Sequence, residues 1–249
     1  MVLLDIKGRA TYIFGGNFWY FFLTGRLNSI MKQINKIIAD SPGLNIMQKR
    51  SKKTYDALIK TGFRLLKKRE WDSITVAELS RAAGYSVGAF YARFKSKDDL
   101  LDALVAHHRK ARNTALEHFF SSHDNDDFID ELIKDIVHYH WNNRNFWRTA
   151  QLRGMRDPEF WAPIRQTGHD VASKTIEMLR EQADRPLTDE EEINVRFAFQ
   201  IIFGTLNNTL INRPGPIFMD QKLFVKKLTQ AFRLISNCDK FKTKKLSKK

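Results

Sequence analysis

Apolar residues return every three or four positions along most of this 249-residue chain, and that period predicts helix after helix. From Lys52 to Arg69, Tyr55, Ile59, Phe63 and Leu66 fall on one face, leaving Lys60, Arg64, Lys67, Lys68 and Arg69 solvated. Thr75 and Glu78 then have the spacing of a capping box, in which each residue satisfies a backbone N–H of the other. The helix they open carries Val76, Leu79, Ala82 and Ala83 and stops at Gly84, a residue that takes the left-handed conformation without penalty. Ser86 caps the next helix, in which Val87, Phe90, Tyr91 and Phe94 keep helical spacing. Ser96 and Asp99 repeat the signal and start a long helix from Lys97 to about Phe120, with Leu101, Leu104, His108, Ala111, Ala115 and Phe119 on its inner edge. Two short helices around a glycine-containing turn is the arrangement that lays a second helix in a DNA major groove.

Beyond that point the pattern stays helical. Asp126 and Asp127 suit the first turn of a helix whose inner side is Phe128, Leu132, Ile136 and Tyr139. Asp157-Pro158 marks a fresh start, with proline where a first turn tolerates it. Thr188 and Glu191 form a second capping box, opening a helix through Ile193, Phe197, Ile201, Gly204 and Asn208. Asn212-Arg213-Pro214-Gly215-Pro216 ends it, and a last helix follows from Asp220 to about Ser236. Nothing reads as a strand, and the expected fold class is all-α.

The stretch from about Lys52 to Arg112 resembles the DNA-binding domain of the TetR family. Ala82-Ala83-Gly84, the run from Gly88 to Phe94 with Tyr91, and Lys97 with Leu100 and Leu101 carry the resemblance. It implies an N-terminal three-helix helix-turn-helix domain followed by a larger helical ligand-binding and dimerisation domain. The boundaries expected are 1–46 for an extension, 47–112 for the DNA-binding domain, 113–237 for the larger domain and 238–249 for a lysine-rich tail. The activity implied is sequence-specific transcriptional regulation, most simply repression of a near-palindromic operator by a homodimer that answers to a small molecule. Two alternatives stand beside it: a constitutive DNA-binding regulator with no inducer, and a membrane-associated protein using residues 10–38.

The residues of the recognition helix limit how it reads DNA. Val87, Gly88, Ala89 and Ala92 lack the bidentate donors that pair Arg with guanine or Asn with adenine. The family often has a polar or basic residue where Val87 stands, so the expectation is contact with thymine methyls, close backbone approach at Gly88 and some reading of DNA shape. Phosphate contacts are expected from Thr75, Ser86, Tyr91, Lys95 and Lys97, and from Lys52 and Lys53 at the start of the basic helix. Arg93 faces either phosphate or solvent.

In the family, the last two long helices pair across a dimer. Here Phe197, Ile201, Gly204, Leu228 and Phe232, with Leu223, would supply that surface, though the same stripes also suit the subunit's own core. The segment from His138 to Trp161 is dense in aromatic residues. Tyr139, Trp141, Trp147, Arg148 and Trp161, with Phe203, are candidates for a ligand pocket, against the simpler reading that they are core. His138 and His140 are two apart and point to different sides of a helix, which argues against a metal pair.

Charge fits a polyanionic partner. The formal net charge is +14 and the pI is near 9.8. Part of that excess lies between Lys240 and Lys249, which reads as a disordered tail. The single cysteine, Cys238, excludes an internal disulfide and suits a reducing, cytoplasmic setting. No nucleotide-binding, metalloprotease or hydrolase signature occurs, so neither an enzyme nor a cofactor is expected. Residues 10–23 are aromatic and apolar but broken by Gly15, Gly16 and Asn17, short of the ~20 residues a membrane span needs. Leu27 to Ala39 reads as an amphipathic helix closed by Ser41-Pro42-Gly43. The first 46 residues are read as the product of an upstream start, with a packed extension or a membrane-surface anchor as alternatives.

Overall fold

The computed structural model describes residues 2–4, 10–12, 42–122 and 127–241, with side chains from residue 50 onward. The chain divides into two compact units, Met1–Lys53 and Thr54–Lys249. In the first, β1 (Val2–Leu4) pairs antiparallel with β2 (Ala10–Tyr12), Leu3 opposite Thr11. No strand was expected anywhere. These six residues are mostly apolar, β-branched or aromatic, which suits a pleated ladder, but three residues are too few to show a period. The amphipathic helix expected over residues 27–39, and most of the segment read as a membrane alternative, lie outside the described residues.

Helix α1 is Pro42–Leu66, so Pro42 opens a helix where a break was expected. Proline suits a first turn because the N–H it lacks has no partner there. A 3₁₀ turn at Trp71–Ser73 leads to α2 (Val76–Ala83) and α3 (Val87–Tyr91), followed by the long α4 (Lys97–Ser122). The remainder is α5 (Phe128–Asn142), α6 (Arg144–Arg156), α7 (Pro158–Ala183), α8 (Asp189–Asn212) and α9 (Lys222–Ser236). The second unit is all-α as expected. The expected starts hold: Asp157 accepts from the Phe160 N–H, and Thr188 and Glu191 make a reciprocal capping box.

Two apolar cores organise this unit. One joins α5, α7, α8 and α9 through Phe128, Ile136, Phe199, Leu206 and Phe232. The other lies under α1–α4 and gathers Leu58, Trp71, Leu79, Phe90 and Leu104. Phe146 and Ala150 of α6 enter that second core, so the larger helical body holds the helix-turn-helix by inserting a helix face into it. The buried edge of α4 departs from the expected one past His108. Ala111 and Ala115 are exposed, and Arg112 and Leu116 are buried in their place. From Leu104 the inward positions step by four, through His108 and Arg112 to Leu116, where the expected edge mixes steps of three and four.

The tail begins later than residue 238. Cys238 and Phe241 are buried in a short 3₁₀ turn against α7 and α9, and the Lys240 ammonium sits 2.9 Å from Glu191. Two apolar side chains in four residues are enough to fold back a segment that its lysines make look solvated.

Candidate helix-turn-helix surface and interior cavity

The turn between α2 and α3 is built from its caps. The Glu78 N–H donates to Thr75 Oγ1 at 3.1 Å, and the Ala89 N–H donates to Ser86 Oγ at 3.1 Å. Gly84 ends α2 at φ 82°, ψ 26°, in the left-handed region, as expected. Glu78 does not complete the expected capping box, because its carboxylate pairs with Arg69. Arg69 also donates to the Ser73 carbonyl at 2.6 Å, and Arg64 Nη2 donates to the Ala82 carbonyl at 3.1 Å. Two guanidiniums expected to be only solvated are therefore engaged: Arg64 ties α1 to α2, and Arg69, just after α1, ties α2 to the turn before it.

Helix α3 has a single anchor, Phe90, fully buried. The outward side is Val87, 40% exposed, and Tyr91, 55% exposed, with Gly88 and Ala92 also open and Ala89 half-buried. A Cβ added at Gly88 would meet only Ser86 Oγ, at 3.8 Å, so the backbone there is approachable. The expected phosphate partners differ in freedom. Thr75, Ser86, Lys95, Lys52 and Lys53 are exposed. Lys97 is not free at its ammonium. Its Nζ donates to the carbonyls of Trp71 and Ile74, both at 2.9 Å, and lies 5.0 Å from the Trp71 ring centroid. Arg93 is exposed, with Nη1 donating to the Ala92 carbonyl at 2.8 Å.

Inside the unit a cavity of about 720 Å³ opens between α4, α5, α6, α7 and α8. Of the residues named as pocket candidates, Tyr139, Trp147, Trp161 and Phe203 line it. Trp141 and Arg148 do not. Trp141 packs against the large core, with Arg144 stacked 4.6 Å above its ring. Arg148 turns away to the carbonyls of Leu210 and Ile211, at 3.3 and 3.2 Å, and lies 3.7 Å from Glu70. Helical spacing fixes which face a residue shares, not which neighbour that face meets.

The cavity's chemistry comes from residues the sequence did not single out as a set. Arg112 is buried, 2.6 Å from the half-exposed Asp135 and 4.3 Å above the Tyr139 ring. His108 stacks on Phe146 at 3.9 Å, and the Tyr139 hydroxyl lies 2.9 Å from its Nδ1. Burial, then His140 and Arg112, pulls the His108 pKa down to about 3. His140 stacks on Trp147 at 4.7 Å, and its Nδ1–H donates to the Ile136 carbonyl at 2.7 Å. Burial lowers its pKa to about 4, so the ring is neutral and Nε2 is left as an acceptor. Burial raises the pKa of the Tyr139 hydroxyl. A sequence signal for part of this set exists: Leu104, His108, Arg112 and Leu116 recur every four residues on one face of α4. His138, by contrast, is exposed, and no cluster of potential metal ligands occurs among the described residues.

The expected dimer residues split. Phe197 and Ile201 are 48% and 37% exposed on α8, and Gly204 is open, with nothing within 4 Å of an added Cβ. Leu228 and Phe232, 6% and 0% exposed, belong to the chain's own core and offer nothing to a partner. Two further exposed apolar positions on these helices, Ile193 on α8 and Leu234 on α9, were not among the expected dimer residues and join Leu223.

Comparison with known proteins agrees with the geometry of α1–α4. The family described as bacterial regulatory proteins, tetR family, matches residues 58–104. The HTH-type transcriptional regulator YwcC of Bacillus subtilis, itself uncharacterized, is 47% identical over 57 residues, 23% of this chain. That stretch spans about a quarter (26%) of YwcC. Salmonella enterica GusR aligns over 74% of this chain and 96% of its own, at 16% identity and a TM-score of 0.54. A tetR-family transcriptional regulator from Streptomyces coelicolor aligns over 74% of this chain and 81% of its own, at 16% identity and a TM-score of 0.56. At such identities the two structures speak for the fold alone. No helix among the described residues is long and apolar enough to cross a membrane. Over residues 58–104, within its helix-turn-helix, the chain matches the family of bacterial regulatory proteins described as tetR family, and its nine described helices share their arrangement with the two solved structures.

Proposed function

We propose that this chain is a sequence-specific DNA-binding transcriptional regulator, working as a homodimer on a near-palindromic operator and released by a small molecule. One observation carries the DNA-binding reading. Helix α3 is capped at Ser86, pinned inward by Phe90 alone, and turns Val87, Gly88, Tyr91 and Ala92 outward. A helix so placed enters a major groove with its first turn. Its small apolar face favours thymine methyls over guanine edges. Phosphates then fall to Thr75, Ser86, Tyr91 and Lys95, and to the backbone N–H of Lys97, whose ammonium is already engaged.

The exposed apolar positions Ile193, Phe197 and Ile201 of α8, with Leu223 and Leu234 of α9, support pairing with a second copy. Two-fold pairing would set two α3 helices about one turn of DNA apart, ~34–36 Å. The cavity supports control by a ligand. His108, in its wall, lies within ring contact of Phe63 on α1, at 6.2 Å, and of Phe146, whose side chain is in the core under α3. A ligand that moves His108 therefore acts on α4 at the point where that helix meets the DNA-binding core, and ligand and operator weaken each other by the same factor.

The test is fluorescence anisotropy of the full chain with its own upstream intergenic DNA and a scrambled duplex, over a range of salt. A large preference for the native sequence, weakened at least tenfold by Tyr91→Ala, is expected. Equal binding to both duplexes, collapsing together as salt rises, would leave only nonspecific attraction of a basic protein for phosphate.

A further inference from the structure

We propose that the cavity selects an organic anion, a carboxylate carried on an apolar body, with Arg112 as its charge partner. This assignment rests on the reading of the cavity as the regulatory ligand site and names the chemistry that site accepts.

Charge supplies the first argument. Arg109, Arg112, Arg165 and Arg196 line the cavity, and among the described residues no aspartate or glutamate does. Three of these arginines are exposed, and Arg112 is buried. Asp135, which offsets Arg112 through Nη2, is not in the wall, and no hydrogen bond from the guanidinium to another acceptor occurs among the described residues. A buried, partly paired guanidinium favours a ligand that completes its fork, and carboxylate matches that geometry with two parallel hydrogen bonds.

The rest of the wall sets the remainder of the ligand. Phe146, Trp147, Phe199 and Phe203 are apolar surface large enough to enclose a ring system or a folded acyl chain, and about 720 Å³ falls in the range of small-molecule sites. Polar groups with unused capacity are few and specific. The Trp147 indole N–H is buried with no acceptor among the described residues. His140 has used Nδ1 on its own helix and presents Nε2 as an acceptor, which suits a hydroxyl on the ligand. Buried donors without partners are rare in folded proteins and point to a group that satisfies them. A cationic ligand would meet only like charge here. A neutral apolar one would leave Arg112 desolvated and incompletely paired, which costs affinity.

Isothermal titration of the full chain tests this with matched pairs: 2-naphthoate against 2-naphthalenemethanol, and dodecanoate against dodecanol. At least one acid should bind tenfold or more tightly than its alcohol, and which acid wins identifies a ring system or an acyl chain as the body. Arg112→Met should reduce that acid's affinity at least tenfold while leaving the alcohol within about twofold. Should this variant fail to fold, the acid–alcohol comparison on the unaltered protein still decides. Alcohols that bind as well as their acids, or acids that do not bind, overturn the assignment. Anisotropy with the preferred duplex separates this from the regulatory reading. Alcohols that bind and release DNA where acids do neither would sink the anion and keep the regulation. Acids that bind but leave DNA affinity unchanged at saturation would do the reverse.

Discussion

Gly84 and Gly88, four residues apart, are expected to respond in opposite senses to the same substitution, because one is held by its backbone angle and the other is not. At Gly84 the backbone is left-handed, φ 82°, and nothing lies within 4 Å of an added Cβ. Steric clash with neighbours is therefore absent, and Gly84→Ala isolates the conformational cost. An L-residue in that region costs about 1–2 kcal/mol. Stiffening the unfolded chain returns about 0.4–1 kcal/mol. The net is a loss of roughly 1 kcal/mol. At Gly88 the residue lies in α3, φ is not in the left-handed range, and an added Cβ meets only Ser86 Oγ at 3.8 Å. Gly88→Ala should gain about 0.5–1 kcal/mol, since glycine is the poorer helix former. For a chain of this size, 1 kcal/mol moves the melting midpoint by about 2–4 °C. Circular dichroism melts of both variants should therefore diverge on either side of the parent. The DNA readout adds a second divergence. Gly84→Ala should weaken binding only as far as it loosens α3, whereas Gly88→Ala puts a methyl group on the exposed face and should weaken binding despite greater stability. If Gly84→Ala proves neutral or stabilising, the account of the turn is wrong.

Ile201→Glu with Leu234→Glu should convert a species of about twice 29.1 kDa to the monomer in light scattering, with helicity intact, whereas Leu228→Glu should lose helicity because that side chain is in the chain's own core. A monomer before substitution would remove α8 and α9 as a dimer face. His108 and His140, held neutral by burial with pKa values of about 3 and 4, make the unfolded chain the better proton binder below its own histidine pKa of about 6.5. Their share of stability is thus complete above that pH and falls as pH drops from about 6.5 towards 4, read as a falling urea midpoint; ring resonances of either histidine titrating near 6.5 would refute it. His108→Leu should keep ligand-free DNA affinity within about threefold but reduce the effect of a saturating ligand on it by at least fivefold; undiminished coupling would put the route elsewhere.

Local chemistry was legible, and cross-chain chemistry was not. Thr75, Gly84, Ser86 and Thr188 each act within three residues of themselves, so their caps stood in the sequence and stand in the structure, and the start read at Asp157-Pro158 is there too. Arg69, Arg148 and Lys97 act on partners elsewhere. Their charge suggested solvent, a pocket or phosphate, while the fold gave them Glu78, two carbonyls of α8 and two carbonyls flanking a 3₁₀ turn. Long cationic side chains reach whichever acceptor the packing brings near, and helical period carries no information about that. The same limit explains Leu228 and Phe232. A stripe wide enough to bury two sides announces itself as apolar, but only the position of Phe199 and the neighbouring helices decides which side is inward.

Helix α6 shows why the cavity and the DNA-binding surface belong to one argument. Phe146 and Trp147 are consecutive and part company across the helix. The first is buried in the core beneath α3 and also reaches the cavity wall, whereas the second lines the cavity and stacks on His140. One turn on, Ala150 returns to that core, while Gln151 donates to Asn207 Oδ1 on α8 at 2.7 Å. A short helix thus ties the cavity wall, the exposed face of α8 and the support of α3 to one rigid rod. From sequence this stretch reads as helical but with no boundary between α5 and α6, because Asn142-Asn143 followed by a mixed aromatic and arginine run hides the break. Packed interiors shift between discrete arrangements and do not deform continuously. A ligand that tilts α6 against α8 cannot leave Phe146 where it was, and Phe146 shares a core with Phe90, the one side chain that holds α3 in place.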